Sequence, residues 1–146
     1  MTVLTYSMSG LPRGQGRPRA TARGGFASVY KASADRKYEQ SVAKVAAAAM
    51  AGRDPMEGPL SVSLRFRMAI PKSATKRVKA SMAAGEIPPC TKPDLSNLVK
   101  AIEDAMNGIV YVDDCQIVRA FQTKIYAEQP GVDVRVEAFQ PQESGR

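Results

Sequence analysis

Residues 60–68, Leu-Ser-Val-Ser-Leu-Arg-Phe-Arg-Met, alternate apolar and polar without a fault, which predicts a strand with one buried face. Elsewhere the period lengthens. Tyr38, Val42, Val45 and Ala49 recur at four- and three-residue spacing, so a helix is predicted from Ser33, capped by that serine and stopped by Gly52. The same spacing puts Leu98, Ile102, Ala105 and Met106 on the inward face of a helix over 95–107, ended by Gly108. Residues 73–84 read as a short basic helix with Lys76, Arg77 and Lys79, broken by Pro88 and Pro89. β-branched and aromatic residues predict further strands over 3–8, 117–126 and 132–138, the last two separated by a turn at Pro130-Gly131. Residues 9–26, rich in Gly and Arg with Pro12 and Pro18, show no period and are expected as an irregular surface loop. The polar tail from 140 is expected to fray. This order of elements implies a single domain over 1–146 of α/β or α+β class, a mixed sheet with helices packed on it.

Composition narrows the chemistry. The 146 residues hold no apolar run long enough to span a bilayer, and the N-terminus lacks the layout of a signal peptide, so a cytoplasmic protein without a membrane role is expected. There is no histidine, and the two cysteines, Cys90 and Cys115, stand apart. The usual zinc sites, the Ser-His-Asp triad and a histidine base are thereby excluded. What remains is carboxylates, lysines, hydroxyls and a bound metal ion. The net charge of +7 is uneven: residues 1–53 carry nine Lys/Arg against two Asp/Glu, whereas 54–146 carry twelve of each. A surplus gathered in one third of the chain suits a polyanion, since phosphate contacts gain from counterion release.

The acidic counterpart lies between Lys92 and Asp114. Asp94, Glu103, Asp104, Asp113 and Asp114 place five carboxylates, with Lys100 among them, inside residues 94–114. Pro93 holds Lys92 extended, so Asp94 falls at a loop-to-helix junction. Lys100 and Asp104 share a helical face, as do Ser96, Lys100 and Glu103. Phosphodiester hydrolysis needs such a set: hard oxygen ligands for Mg²⁺, and metal plus lysine against the charge on phosphorus. Structural explanations stand beside this one. Asp94 or Ser96 caps the helix, Lys100–Asp104 is a surface pair, and Asp113-Asp114 is a turn.

The segment resembles the signature of the RusA family of Holliday-junction resolvases, small endonucleases associated with phages and prophages. That pattern has Asp-x-Asp-Asn at a helix start, a Lys four residues past the second Asp, a helix ending near Asn-Gly, then Asp-Asp. Asp94, Asn97, Lys100, Asn107-Gly108 and Asp113-Asp114 match it in order and spacing. Upstream, Gly14-Gln15-Gly16-Arg17-Pro18-Arg19-Ala20-Thr21 is similar to the family's basic loop after the first strand, followed by a helix containing Tyr38-Glu39. The resemblance implies a homodimer that resolves four-way DNA junctions by paired nicks, dependent on Mg²⁺ with Mn²⁺ as a substitute. Asp94 and Asp114 would be the metal-binding catalytic acids and Lys100 the phosphate-stabilising cation, with Asp113 beside them.

One position departs. Ser96 stands where the family has its second acid, and a hydroxyl replaces a carboxylate poorly on Mg²⁺. Glu103, seven residues on and nearly in phase, is the expected substitute, with Asp104 behind it. Arg13, Arg17, Arg19 and Arg23 in the basic loop, with Lys92, are expected to grip DNA phosphates; a solubilising loop is the bland alternative. Arg65, Arg67, Lys76, Arg77 and Lys79 either extend that surface or face solvent. Two rivals remain: a structure-selective DNA-binding protein whose catalysis is impaired by Ser96, and a non-nuclease module that binds RNA.

Overall fold

The computed structural model describes residues 3–16, 19–23, 26–30 and 33–141, of which 19–23 and 26–30 are described as backbone. Four strands form the main sheet: β1 (Val3–Ser9), β4 (Leu60–Ala69), β5 (Ile117–Ala127) and β6 (Gly131–Ala138). Their order is β1-β6-β4-β5, with β6 antiparallel to both neighbours and β4 parallel to β5. Together with three helices, α1 (Ser33–Met50), α2 (Lys76–Ala83) and α3 (Leu95–Met106), this makes a single small α+β domain. The sheet is mixed, as the pattern implied.

Side-chain alternation decides which face is covered. In β4 the apolar set Leu60, Val62, Leu64 and Phe66 is buried, and in β6 so are Val132, Val134 and Val136. These meet Val42, Ala46 and Met50 of α1 and Leu98, Ile102 and Met106 of α3 in one core. Deleting such a side chain to alanine costs about 2–5 kcal/mol, so this layer sets where both helices lie. The intervening residues Arg65, Arg67, Asp133 and Arg135 stand on the other face of the sheet and pair there, Arg65 with Asp133 at 2.8 Å and Arg67 with Asp133 at 3.3 Å. Those two arginines serve the sheet.

The helix ends follow their local chemistry. After α1, Ala51 and Gly52 take positive φ (51° and 77°), the left-handed stop expected of Gly52 shared with an alanine before it. Thr75 caps α2 by accepting a hydrogen bond from the Val78 N–H at 3.3 Å. The expectation for residues 9–26 needs correcting. Arg19–Arg23 and Phe26–Tyr30 form β2 and β3, an antiparallel two-stranded sheet of their own. Thr21, Phe26, Val29 and Tyr30 are residue types that favour strands, a signal within and just beyond the stretch expected as loop. Residues 11–16 are irregular as expected, yet Pro12 and Gln15 are buried.

Candidate active site along α3

Parallel pairing of β4 and β5 obliges the chain to cross from the end of one to the start of the other, and α2 and α3 make that crossing. α3 therefore runs back against β5. Its last turns lie near the entrance of β5 and its first turn near that strand's far end. The second placement is held by Lys124, on the helix-facing side of β5 opposite Phe66, whose Nζ donates to the carbonyls of Thr91 at 2.8 Å and Pro93 at 3.0 Å. A cation on the inward side of a strand is a signal the alternation contained and the sequence reading passed over.

At the first turn, Asp94 occupies the N-cap with extended backbone, but its carboxylate makes no capping hydrogen bond and stays exposed. Capping therefore does not account for this aspartate. Ser96 lies two residues inside the helix, exposed, and is not the cap either.

At the last turns the acids gather. Burial pushes the Glu103 carboxyl above the usual carboxylate range, and the neighbouring charges of Asp114 and Asp104 push it further, against Lys100. Asp114 is raised too, first by a hydrogen bond shared with Asp113, then by partial desolvation and by the charges of Asp113 and Asp104. Asp113 goes the other way because the backbone N–H of Cys115 holds its charged form, as does Asp114's side chain. The adjacent pair is thus divided by role. Asp113 caps the short 3-10 turn Asp114–Gln116, accepting from Cys115 N at 3.1 Å, while Gln116 Oε1 accepts from Asp113 N at 3.0 Å. The turn explanation holds for Asp113. It leaves Asp114 facing Glu103 and Asp104. Beneath them, fully buried Tyr111 donates to the Glu103 carbonyl at 2.7 Å, tying the link after α3 to that helix.

The substitute expected for Ser96 does not reach its place. Glu103 follows Asp94 by nine residues of continuous helix, about 13 Å along the axis at 1.5 Å per residue, and follows Ser96 by about 10 Å. Phase around a helix ignores rise along it. Glu103 joins Asp104 and Asp114, and Asp94 lies at the other end. Among the described residues, no three Asp, Glu or Cys side chains converge closely enough to hold one ion. Glu103, Asp104 and Asp114 are within electrostatic range of one another, and their oxygens are hard donors, but they do not close a three-acid site.

The basic loop runs along α3 and spans both ends. Gln15 N donates to Asn97 O at 3.0 Å, and Gln15 Nε2 donates to Asp104 Oδ2 at 2.9 Å and to Glu39 Oε1 at 2.7 Å. A side chain on Gly14 would meet Pro93 at 3.0 Å and Asn97 at 3.3 Å, so the glycine eases a close approach. Arg13 Nε pairs with buried Asp35 at 2.7 Å, and Gly16 N donates to the same carboxylate at 3.1 Å. Lys100 Nζ is 3.8 Å from Asp104 Oδ2 and largely exposed. Of the other cations named from the sequence, Lys92 is exposed beside Pro93, and Lys76 and Arg77 are exposed on α2. Arg19 and Arg23 have their backbone in β2, and their side chains, like Arg17 altogether, fall outside the described residues. Gln15, Asp35, Tyr111 and Gln116 were not singled out from the sequence. Their roles depend on long-range partners that no local spacing reveals.

A small basic α+β domain with carboxylates at both ends of one helix, and an arginine-bearing loop laid along it, has the features that an enzyme acting on a nucleic acid needs. The family model for the endodeoxyribonuclease RusA matches residues 9–137, and the chain belongs to that family. It is also similar to an uncharacterized protein, YqaN, of Bacillus subtilis (strain 168), at 33% identity over 138 residues, covering 93% of this chain and 96% of that one.

Proposed function

We propose that this protein is a Mg²⁺-dependent endodeoxyribonuclease, with Mn²⁺ as a substitute ion, that resolves four-way junctions or related branched DNA by paired nicks in recombination, repair or phage DNA processing. The observation that carries the reading is the strapping of the basic loop along α3 through Gln15, which sets Arg13 beside a helix bearing Asp94, Lys100 and Asp104. Branched DNA supplies what both halves of this arrangement need, a polyanion for the loop and a phosphodiester for the acids.

Glu103 and Asp114 are the pair whose mutual repulsion a divalent ion relieves. Asp94 enters the metal-binding set on the family pattern, with an exposed carboxylate that no cap engages. Asp113 contributes by fixing Asp114 in the 3-10 turn. When bound, Mg²⁺ supplies Lewis acidity toward the phosphate and lowers the pKa of water. Lys100, exposed and only loosely paired, turns to the phosphate or leaving oxygen. Arg13 and Lys92, with Arg17, Arg19 and Arg23, hold phosphates on either side. Nicking two opposed strands calls for two sites, hence a homodimer.

A second reading has its own observation. Ser96 replaces an acid, and Asp94 stands some helix turns from the others, as fits a junction-binding protein impaired in cutting. One experiment separates the two: incubate a synthetic four-way junction with and without Mg²⁺, beside linear duplex and Asp94→Asn. Paired nicks that vanish without metal and in the variant support the nuclease. Tight, junction-selective binding without a cut at any metal concentration sinks it in favour of the binding protein.

A further inference from the structure

A cavity of about 260 Å³ opens beside the first turn of α3. Its walls come from four separate stretches. Leu11 and Pro12 belong to the basic loop, Met68 and Ala69 end β4, Tyr126 lies near the end of β5, and Pro89, Lys92 and Pro93 lead into Asp94. Met68 and Tyr126 are partners in the β4–β5 register, so strand pairing fixes that side. The opposite side is held by the two hydrogen bonds from Lys124 to the carbonyls of Thr91 and Pro93. Leu11, 66% exposed, lies at the rim.

We propose that this cavity receives one unstacked nucleobase of the bound DNA, while Lys92 at its rim takes the phosphate of the same strand. The proposal rests on the reading of the protein as a branched-DNA nuclease and names a subsite for it.

Chemistry and placement both favour a base. The lining is aliphatic, prolyl and one phenol ring, with the hydroxyl residue Thr91, one cation and no acid, which matches a flat, mostly apolar ring joined to an anion. The phenol ring of Tyr126 supplies a stacking face that tolerates any base. The volume falls just below the roughly 300–1,000 Å³ typical of pockets for small organic ligands, a size for one base and not for a whole nucleotide. Lys92 and Pro93 are contiguous with Asp94, so a strand seated there passes directly over that carboxylate. When the arms of a branched molecule open, a base at the crossover loses a stacking neighbour on one side, which lowers the penalty for extruding it. The cavity of about 510 Å³ on the outer face of the sheet does not compete for this role. Asp133 is in its lining, and its arginines are already paired, Arg65 with Asp133 and Arg135 with Glu137.

The test uses the full chain carrying Asp94→Asn, so that bound junctions stay intact, and a set of four-way junctions with 2-aminopurine at single positions around the crossover. Binding is followed by anisotropy, and unstacking by the rise in 2-aminopurine fluorescence. The expected result is a rise confined to one or two positions, abolished when Ala69→Trp fills the cavity or Leu11→Asp charges its rim, with affinity falling less than about tenfold. Ala69 is exposed at a strand end, so the filled variant is expected to fold, and its circular dichroism and melting temperature check this. Binding without a rise at any position overturns the subsite and leaves the nuclease reading standing. A rise that persists in both variants shows the base unstacking elsewhere, which also overturns it. Failure to bind any branched DNA overturns the functional reading and the subsite with it.

Discussion

The two ends of α3 are built on opposite plans. At the first turn Asp94 stands exposed, its carboxylate free of capping duty, among cations: Lys92 precedes it, and Lys124 anchors the loop that delivers it. At the last turns Glu103, Asp104 and Asp114 lie near buried Tyr111, and the Glu103 and Asp114 carboxyls are held above their usual range, Glu103 chiefly by burial and Asp114 chiefly by its hydrogen bond with Asp113. One end presents an exposed carboxylate that no capping hydrogen bond engages. The other sets like charges near one another, which raises the Glu103 and Asp114 carboxyls. Two acids thus differ in kind through their surroundings, and a count of carboxylates per segment misses the difference. The basic loop touches both ends, so strand placement at one end is mechanically joined to the acids at the other.

Removing Asp94 tests which end the chemistry needs, and it carries the largest expected effect. Loss of residues that merely support a metal ligand costs roughly 10–100-fold in affinity or activity, so Asp94→Asn is expected to lower junction cleavage by at least about 10²-fold with binding retained. Single-turnover rates measure it. Wild-type rates in the variant would move the chemistry wholly to the far end of the helix.

Cutting the link between the ends comes next. Gln15→Ala removes donors to two carboxylates from a buried position, and hydrogen bonds to charged groups contribute roughly 1.5–3 kcal/mol each. A loss of about 2 kcal/mol in urea unfolding is expected, with weaker junction binding because the loop is no longer laid along α3. If stability falls and binding does not, the loop grips DNA independently of the helix. Arg13→Ala acts more narrowly. It leaves the Asp35 carboxylate buried with one partner fewer, and it removes one cation, so the slope of log K against log salt should fall by about 1. An unchanged slope excludes a phosphate contact there.

The sign of the Glu103 shift gives a pH test of the crowded end. A carboxyl raised by folding contributes stability that is fully present below its ordinary value, about 4.3, and lost as pH rises through the raised one. At neutral pH the charged form is therefore a burden, discounted because the group is only half-buried. Glu103→Gln should raise the melting temperature of metal-free protein by about 2–4 °C at pH 7 and change it little at pH 4. Mg²⁺ should stabilise the wild type more than the variant. Equal stabilisation of both would remove Glu103 from the ion's ligands.

Much of this architecture was legible in the chain. The faultless alternation of β4 and the spacing of Leu98, Ile102 and Met106 specify their elements because burial on one face enforces a period. The pairing of β2 with β3, which begins inside the stretch expected as loop, was not legible, since cross-strand pairing is not a choice that glycines and arginines advertise. The site divides the same way. Asp94, Lys100, Asp113 and Asp114 stand out by type and spacing. That Asp113 caps while Asp114 faces Glu103 depends on Gln116 and the 3-10 turn. The separation of Asp94 from Glu103 is a matter of helical rise, which was available in the sequence and outweighs the phase that pointed the other way.

The smallest effect separates structure from chemistry most cleanly. Lys100 and Asp104 form an i,i+4 pair at 3.8 Å, with the lysine side chain 64% exposed, and such pairs contribute about 0.3–0.5 kcal/mol. The order of charges, lysine before acid, is also the less favourable one on a helix. Lys100→Met keeps the aliphatic stem and should change stability by less than about 0.5 kcal/mol. If Lys100 is merely a partner for Asp104, cleavage should be as indifferent as stability. If it serves the phosphate midway between the two ends of α3, the rate should fall with the melting temperature held, and Lys100→Arg should restore part of it. A parallel loss of rate and stability would mean that the pair holds the helix, and the cation for the leaving oxygen would have to be sought among Lys92 and the loop arginines.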